Sequence, residues 1–301
     1  MPSLPEINQH AHRQFLHPNK LPWSSVRTAE ELEFLSTAVV GGKGEEAKAC
    51  AYLYKELAQL AEIEFHVASV MVRVIGEGAN RSDSRPWLGS DLVQAISCFA
   101  AEETQHASTF FRYVRELTGK DFKIENNLYR ERLAVYEGDE DPLVKLAALC
   151  ATAYVGESVI TVFETRLKGL DPGCQHFLTQ LLHLHGLDEA RHVRFDHLVF
   201  DEVIPGLGAR EREQMESLIN ATEALNTQLA IAAKNQFTRQ FDIDFSQGNL
   251  SAEVQFEMTQ AFRTAILAGT SVRKIDDHMT RETRELVNRF SSSEIVHAIA
   301  A

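Results

Sequence analysis

The sequence predicts an all-α protein built on a core bundle of four long helices. Glycine and proline are few, and they lie between long amphipathic stretches. No alternating strand pattern persists, since the short alternation FDIDFS at 241–246 is expected to be a loop. Four segments long enough to cross a bundle follow one another within residues 45–202. We therefore expect one helical domain over residues 1–301, with the bundle at 45–202 and additional C-terminal helices at 209–290.

Composition indicates a soluble protein and narrows its partners. The chain has 301 residues, of which 44% are hydrophobic and 24% charged, and its net charge is −13. This negative charge argues against a nucleic acid or an anionic membrane surface as a partner. No apolar run of membrane-spanning length and no signal-peptide pattern occurs. Four scattered cysteines without a close pair are typical of reduced thiols, so a cytoplasmic location is expected.

Capping and breaking residues place the helices in order. Residues 1–27 are expected to form an irregular arm, and Thr28 with Glu31 predicts a capping box for a short helix. The glycines at 41–44 separate it from a long helix at about 45–76. An aspartate followed by proline is a helix start signal, and it occurs twice. The further helices are predicted at about 91–117 after Ser90, 125–137, 142–169 after Asp141, 172–202 after Asp171, 209–238, 252–270 and 273–290.

Two of these helices carry a Glu-x-x-His pair on an otherwise apolar face. The pairs are Glu103 with His106, and Glu189 with His192. A third such spacing, near the C-terminus at 294–297, is attributed to chance. Burial of a carboxylate without a partner costs several kcal/mol, and a bound metal ion removes that penalty. These two pairs are therefore candidate metal ligands.

A dinuclear carboxylate site in a four-helix bundle also needs one glutamate from each of the other two helices. In the first long helix, Glu64 has apolar neighbours at the helical spacings of three, four and seven residues, whereas Glu62 has mostly polar ones. Glu64 is therefore expected to face inward and Glu62 to be solvated. In the third long helix, Glu157 lies on an apolar face in the same way.

The last of these four helices carries a third histidine that is a candidate ligand. His185, Glu189 and His192 follow the spacing i, i+4, i+7 and therefore share one stripe. Oxygen ligands combined with imidazoles suit iron or manganese better than thiol-seeking metals. The complete predicted ligand set is Glu64, Glu103, His106, Glu157, His185, Glu189 and His192.

Ligating imidazoles usually donate their second N–H to a carboxylate. Glu102 and Asp188 each directly precede a ligand glutamate, and we expect them to orient His106 and His192 across the two helices. Arg191 is placed to hold one of these two acids.

Four residues near the expected site are candidates for lining a substrate pocket. Packing is the more common role for the aromatic ones, and the acid could face the cavity or pair with an arginine. They are Phe99, Tyr154, Thr161 and Glu164.

The motifs EETQH at 102–106 and DEARH at 188–192 resemble the paired motifs of ferritin-like non-haem di-iron oxygenases. The additional His185 narrows this resemblance to the p-aminobenzoate N-oxygenase family, which includes arylamine N-oxygenases of antibiotic biosynthesis. The resemblance covers about 45–202. The ligand positions match one by one, although the loop after the first long helix could shift the match at Glu64.

This resemblance implies a homodimer with two iron ions per subunit. It implies that the reduced site uses O₂ to oxidise an amine through hydroxylamine towards a nitroso or nitro product. Because no flavin, nicotinamide or iron–sulfur motif occurs in the sequence, an external reductase or ferredoxin is expected to supply electrons.

Other functions remain open at this point. A di-iron oxygenase of the same family could catalyse C-hydroxylation or azoxy formation instead. Iron storage is disfavoured by His185 and by the long segment after the bundle. A ribonucleotide reductase-type radical subunit would use a tyrosine such as Tyr154, but His185 does not fit that pattern.

Overall fold

The computed structural model describes residues 3–13, 16–80 and 89–245, together with Arg281, and this part of the chain contains helices but no strand. Its all-α architecture confirms the predicted fold class. The helices are α1 (Leu4–His10), α2 (Ala29–Leu35), α3 (Glu46–Ala79), α4 (Ser90–Thr118), α5 (Tyr129–Ala134), α6 (Pro142–Leu170), α7 (Phe177–Leu198) and α8 (Ala209–Phe241).

The central bundle consists of α3, α4, α6 and α7. Helix α3 packs along α4 and α6 along α7, while contacts of α3 with α6 and of α4 with α7 close the bundle. Helix α8 covers α3 and α6 from outside. This is the predicted four-helix core with added helices, and none of the described helices is long and apolar enough to cross a membrane.

The apolar core of the bundle is divided into two clusters along its axis. One contains Val67, Phe99 and Phe195, and the other contains Ala61 and Phe110. On each of the four helices the candidate ligands lie between the stretches that belong to the two clusters. A buried polar layer is thus enclosed by apolar side chains on both sides, which excludes water from it.

Helix α7 begins later than predicted. Asp171 does not open it; its carboxylate accepts a hydrogen bond from His176 N at 2.9 Å within a turn. The helix begins at Phe177, and the buried Glu31 of α2 accepts from Phe177 N and Leu178 N at 2.7 and 3.0 Å. The predicted start was wrong because this cap comes from a distant part of the chain.

Other boundaries agree or differ for local reasons. The Asp141 cap with Pro142 at the first helical position is confirmed. The irregular arm predicted at 1–27 is wrong in part, since Leu4–His10 is helical and packs on α4 and α7. The predicted helix 125–137 is shorter, at Tyr129–Ala134. The helices predicted at 252–270 and 273–290 lie outside the described residues.

Candidate metal centre

The seven predicted ligands lie on the four helices of the bundle and within its polar layer. All are buried, with at most 8% of their surface exposed. Helix α3 supplies Glu64, α4 supplies Glu103 and His106, α6 supplies Glu157, and α7 supplies His185, Glu189 and His192.

Each of the three imidazoles has one ring nitrogen next to a carboxylate of this layer. His106 Nδ1 lies 3.2 Å from Glu189 Oε1, and His192 Nδ1 lies 3.0 Å from Glu103 Oε1. His185 uses the other nitrogen, since its Nε2 lies 3.0 Å from Glu189 Oε1. All three imidazoles therefore lie against Glu189, and the other glutamate is Glu103 for His106 and His192 but Glu64 for His185.

Glu189 would contribute ligand atoms to two metal ions. Its Oε1 faces His106 and His185, whereas its Oε2 lies 3.4 Å from His192 Nδ1. Glu103 Oε1 likewise lies between His106 Nδ1, at 3.5 Å, and His192 Nδ1, at 3.0 Å. A carboxylate whose oxygens face different imidazoles can serve two adjacent metal positions at once.

In the part of the chain that the structure describes, two sets of four side chains offer ligand atoms that lie within 4.8 Å of one another. Both sets contain His106 and Glu189, so the two positions adjoin. The first set is Glu64, His106, His185 and Glu189, and the second is Glu103, His106, Glu189 and His192.

The separations between the atoms of these sets suit ligands of a shared metal ion. Two ligand atoms that bind one metal at about 2.1 Å and at right angles lie roughly 3 Å apart. The nitrogen–oxygen separations here are 3.0 to 3.5 Å. Among the described residues, Glu103 Oε1, His106 Nδ1 and His192 Nδ1 are nevertheless buried without a hydrogen-bond partner. A dinuclear metal centre would satisfy these buried atoms.

Burial also makes the uncompensated charge of the layer unfavourable. It raises the pKa of Glu64 to about 7, and burial together with Asp196 and Glu189 raises the pKa of Glu157 well above its usual value. Burial also favours the protonated form of Glu189, yet His185 and His192 outweigh it and hold the pKa of Glu189 well below its usual value. A cation would stabilise all of these carboxylates in their charged form.

The outer nitrogens of two imidazoles contact the predicted carboxylates. His106 Nε2 lies 3.0 Å from Asp188 Oδ2, and His192 Nε2 lies 3.0 Å from Glu102 Oε2. Arg191 forms an ion pair with Glu102. Each contact joins α4 to α7, so the two helices fix the ring orientations together.

The N-terminal arm adds contacts that the sequence did not predict. His12 N donates to Glu102 Oε1 at 3.1 Å, and Leu16 N donates to Asp188 Oδ2 at 2.8 Å. The backbone of the arm therefore covers both outer carboxylates.

Glu164 orients the third imidazole. Its Oε1 lies 3.0 Å from His185 Nδ1, and its side chain is 7% exposed. A Cβ at position 186 would collide with the Glu164 carboxylate, so Gly186 leaves the space that this carboxylate occupies. The contact explains why Nε2 of His185, rather than Nδ1, faces the ligand layer.

We expect Gly186→Ala and Glu164→Ala each to lower metal affinity about 10- to 100-fold, because His185 would lose the partner that fixes its ring. Metal titration of the metal-free protein measures this change. Gly76→Ala in α3 is the matched control, since open space surrounds that position. Equal metal affinity of the Gly186→Ala and Gly76→Ala variants would show that Glu164 does not position His185.

Glu62 does not have the predicted solvated environment. It is 6% exposed, and Asn127 Nδ2 donates to both of its oxygens at 3.2 Å. The buried Arg132 lies 3.8 Å away. The prediction was wrong because the segment around α5 covers this face of α3. Glu62 remains outside the ligand layer, which contains Glu64.

Asp196 is a buried acid of this region that the sequence reasoning missed. It is fully buried, and burial raises its pKa well above the usual value, although the hydrogen bonds with Cys150 and Glu157 act in the opposite direction. Glu157 and Cys150 are among the groups that affect this pKa. Asp196 follows His192 by four residues and so continues the stripe of α7. This spacing was the signal that could have revealed it.

The candidate pocket residues have varied surroundings. Phe99 is fully buried and stacks on His192, with ring centroids 3.7 Å apart. The Tyr154 hydroxyl lies 3.0 Å from His197 Nε2. The side chain of Thr161 lies outside the described part of the structure, and Glu164 contacts His185. Their role in a substrate pocket stays a prediction.

Comparison with known proteins identifies one family by sequence and proteins of similar fold by structure. The p-aminobenzoate N-oxygenase AurF family matches residues 51–276. This match covers most of the chain and includes the four bundle helices, except for the first residues of α3. No curated protein matches the chain.

Two solved structures of R2-like ligand-binding oxidase variants, both with aerobically reconstituted Mn/Fe cofactor, have a similar fold. One is 13% identical and the other 11% identical to this chain. Each comparison covers 90% of this chain and 94% of the other, with a TM-score of 0.50. The likeness shows a shared ferritin-like fold.

Proposed function

Because the chain belongs to the p-aminobenzoate N-oxygenase AurF family, whose members are non-haem di-iron oxygenases, we propose that it uses O₂ to N-oxygenate an arylamine. The products would be the hydroxylamine, nitroso or nitro compound. The observation that carries the proposal is the pair of overlapping ligand sets that share Glu189 and His106, with His185 as an additional imidazole. This donor set of oxygen and nitrogen atoms suits two iron ions.

The bound metal pair would supply the O₂ and redox chemistry of the reaction. The protein's own residues hold and insulate it. Glu189 and His106 belong to both ligand sets and would hold ions at both positions, whereas Glu103 would hold one of them. His106, His185 and His192 each have a carboxylate at their other ring nitrogen. The apolar clusters on both sides exclude water, which would protect the reacting groups from side reactions.

An arylamine suits this environment better than an alkylamine. Oxygen transfer to nitrogen needs the unprotonated amine, and arylamines are unprotonated at neutral pH. A neutral aromatic molecule also enters an apolar interior without the penalty of burying a charge. Because the reaction consumes electrons, the proposal includes an external reductase or ferredoxin as electron donor.

The first experiment measures bound metal and product on the same preparation. Protein from iron-replete cells is analysed for iron and manganese, because the R2-like relatives carry Mn/Fe. It is then reduced without air, mixed with p-aminobenzoate and exposed to ¹⁸O₂. We expect about two metal ions per chain and labelled hydroxylamine, nitroso or nitro product.

Two other outcomes would contradict parts of the proposal. Two bound metal ions with label in a ring hydroxyl group would replace N-oxygenation by C-hydroxylation. Folded protein without bound metal, after growth in iron-replete medium and after reconstitution, would refute the oxygenase function itself.

A further inference from the structure

A polar groove lies between α1 and α7, behind the histidine ligands. Its volume is about 810 Å³, and its lining includes His10, Arg13, Asp188, Arg191 and Arg194. The groove therefore extends from exposed residues of the N-terminal arm to the carboxylate that holds His106.

The accessible charge of this groove is positive, although the chain as a whole carries −13. Arg13 and Arg194 are exposed on its two walls, and neither has a carboxylate partner among the described residues. The lining has one exposed acid, Glu6, against these two exposed arginines, and its other acid, Asp188, is buried and accepts from Leu16 N. A negatively charged partner is thus favoured at this location.

The groove lies one carboxylate away from two of the candidate ligands. Asp188 lines the groove and contacts His106 at 3.0 Å. Arg191 also lines it and pairs with Glu102, which contacts His192 at 3.0 Å. Two short chains of contacting side chains therefore connect the groove to the metal centre.

These connections offer a route for electrons but none for substrate atoms. A substrate must reach the metal ions themselves, and the outer carboxylates and the ligand imidazoles block the path from the groove to these ions. Electron transfer needs no open path and can cross such contacting groups. The mostly polar and charged lining also differs from the apolar pockets that bind small aromatic molecules.

We propose that this groove docks an acidic electron-carrier protein that reduces the metal centre through Asp188–His106 and Glu102–His192. The inference rests on the proposed function only in requiring an external donor. In each encounter, the reduced carrier loses one electron and one ferric ion of the centre becomes ferrous. Two encounters give the diferrous state.

The test uses a reduced, acidic plant-type [2Fe–2S] ferredoxin as the probe and the iron-loaded protein without amine or O₂. Titration gives the Kd, and rapid mixing gives the rate at which the ferric centre is reduced. For Arg13→Glu with Arg194→Glu, we expect both the affinity and the rate to fall roughly tenfold or more at low salt. The difference should shrink as ionic strength rises.

A matched control carries the same change of charge on other faces. Arg130→Glu with Arg210→Glu replaces exposed arginines in the first turns of α5 and α8, where a negative charge is compatible with the helix dipole. We expect ferredoxin to reduce this variant at the wild-type rate. Dithionite should reduce all three proteins equally, which shows that the metal centre is intact.

Two results would overturn the proposal. If ferredoxin reduced the groove variant as fast as the wild type, the groove would not be the docking surface. If dithionite but not ferredoxin reduced the wild-type centre, the acidic carrier would be the wrong partner. Both results can be obtained whatever amine is oxidised, so they are separate from a failure of N-oxygenation.

Discussion

Replacement of Glu189 by glutamine is expected to remove both metal ions and to abolish O₂-dependent product formation. Glu189 belongs to both candidate ligand sets, and its two oxygens face different imidazoles. Glutamine has nearly the same shape, but its amide group offers one neutral oxygen where the carboxylate offers two charged ones. It therefore cannot bridge, and we expect bound metal to fall from about two ions per chain to nearly none.

Metal analysis after reconstitution and gel filtration measures this effect, and circular dichroism checks the fold. Glu62→Gln is the matched control, because Glu62 is also a buried glutamate, yet it contacts Asn127 rather than the ligand layer. The control should keep two metal ions. If Glu189→Gln also kept two tightly bound ions, Glu189 would not be a bridging ligand.

Helical periodicity was sufficient for the fold class and for placing the seven candidate ligands on buried faces, but it missed the buried Asp196 and the burial of Glu62. A residue's position around a helix follows from its spacing to apolar neighbours. For this reason Glu64 could be separated from Glu62 as the residue that faces the ligand layer. The same spacing placed His185 beside Glu189, and the structure brings them to 3.0 Å.

Contacts between distant segments could not be derived in this way. Glu31 caps α7 although nearly 150 positions of the chain separate them. No local sequence pattern indicates the two hydrogen bonds of this cap. Asn127 and Arg132 bury Glu62 for a similar reason, since spacing within α3 does not show what covers its outer face. The arm contacts of His12 and Leu16 likewise depend on tertiary packing.

The contacts of the outer carboxylates could be predicted from the sequence in part. Glu102 and Asp188 precede ligand glutamates and so point sideways from the site, towards the neighbouring helix. Chemical reasoning that ligating imidazoles need a second partner then leads to the contacts with His192 and His106. Glu164 could not be assigned to His185 from sequence, because its partner lies on another helix and needs the space left by Gly186.

Replacement of His185 by alanine is expected to show what the additional imidazole contributes beyond the other ligands. His185 belongs to one of the two ligand sets only, together with Glu64. The variant should therefore keep the metal position formed by Glu103 and His192 and weaken the other. We expect bound metal to fall from about two ions to about one per chain, with loss of N-oxygenated product.

His66→Ala is the appropriate control for the loss of a buried ring. His66 is 1% exposed and contacts the Arg132 carbonyl at 3.1 Å, away from the ligand layer. Both substitutions should lower the free energy of unfolding by a few kcal/mol through the cavity that they leave. Only His185→Ala should change metal content and product, because only His185 has a nitrogen among the ligand atoms. A His185→Ala variant with full metal content and full product formation would contradict this expectation. The site would then have only the six ligands common to ferritin-like di-iron proteins. In that case the additional imidazole, which distinguishes this chain from them, would have no role in its chemistry.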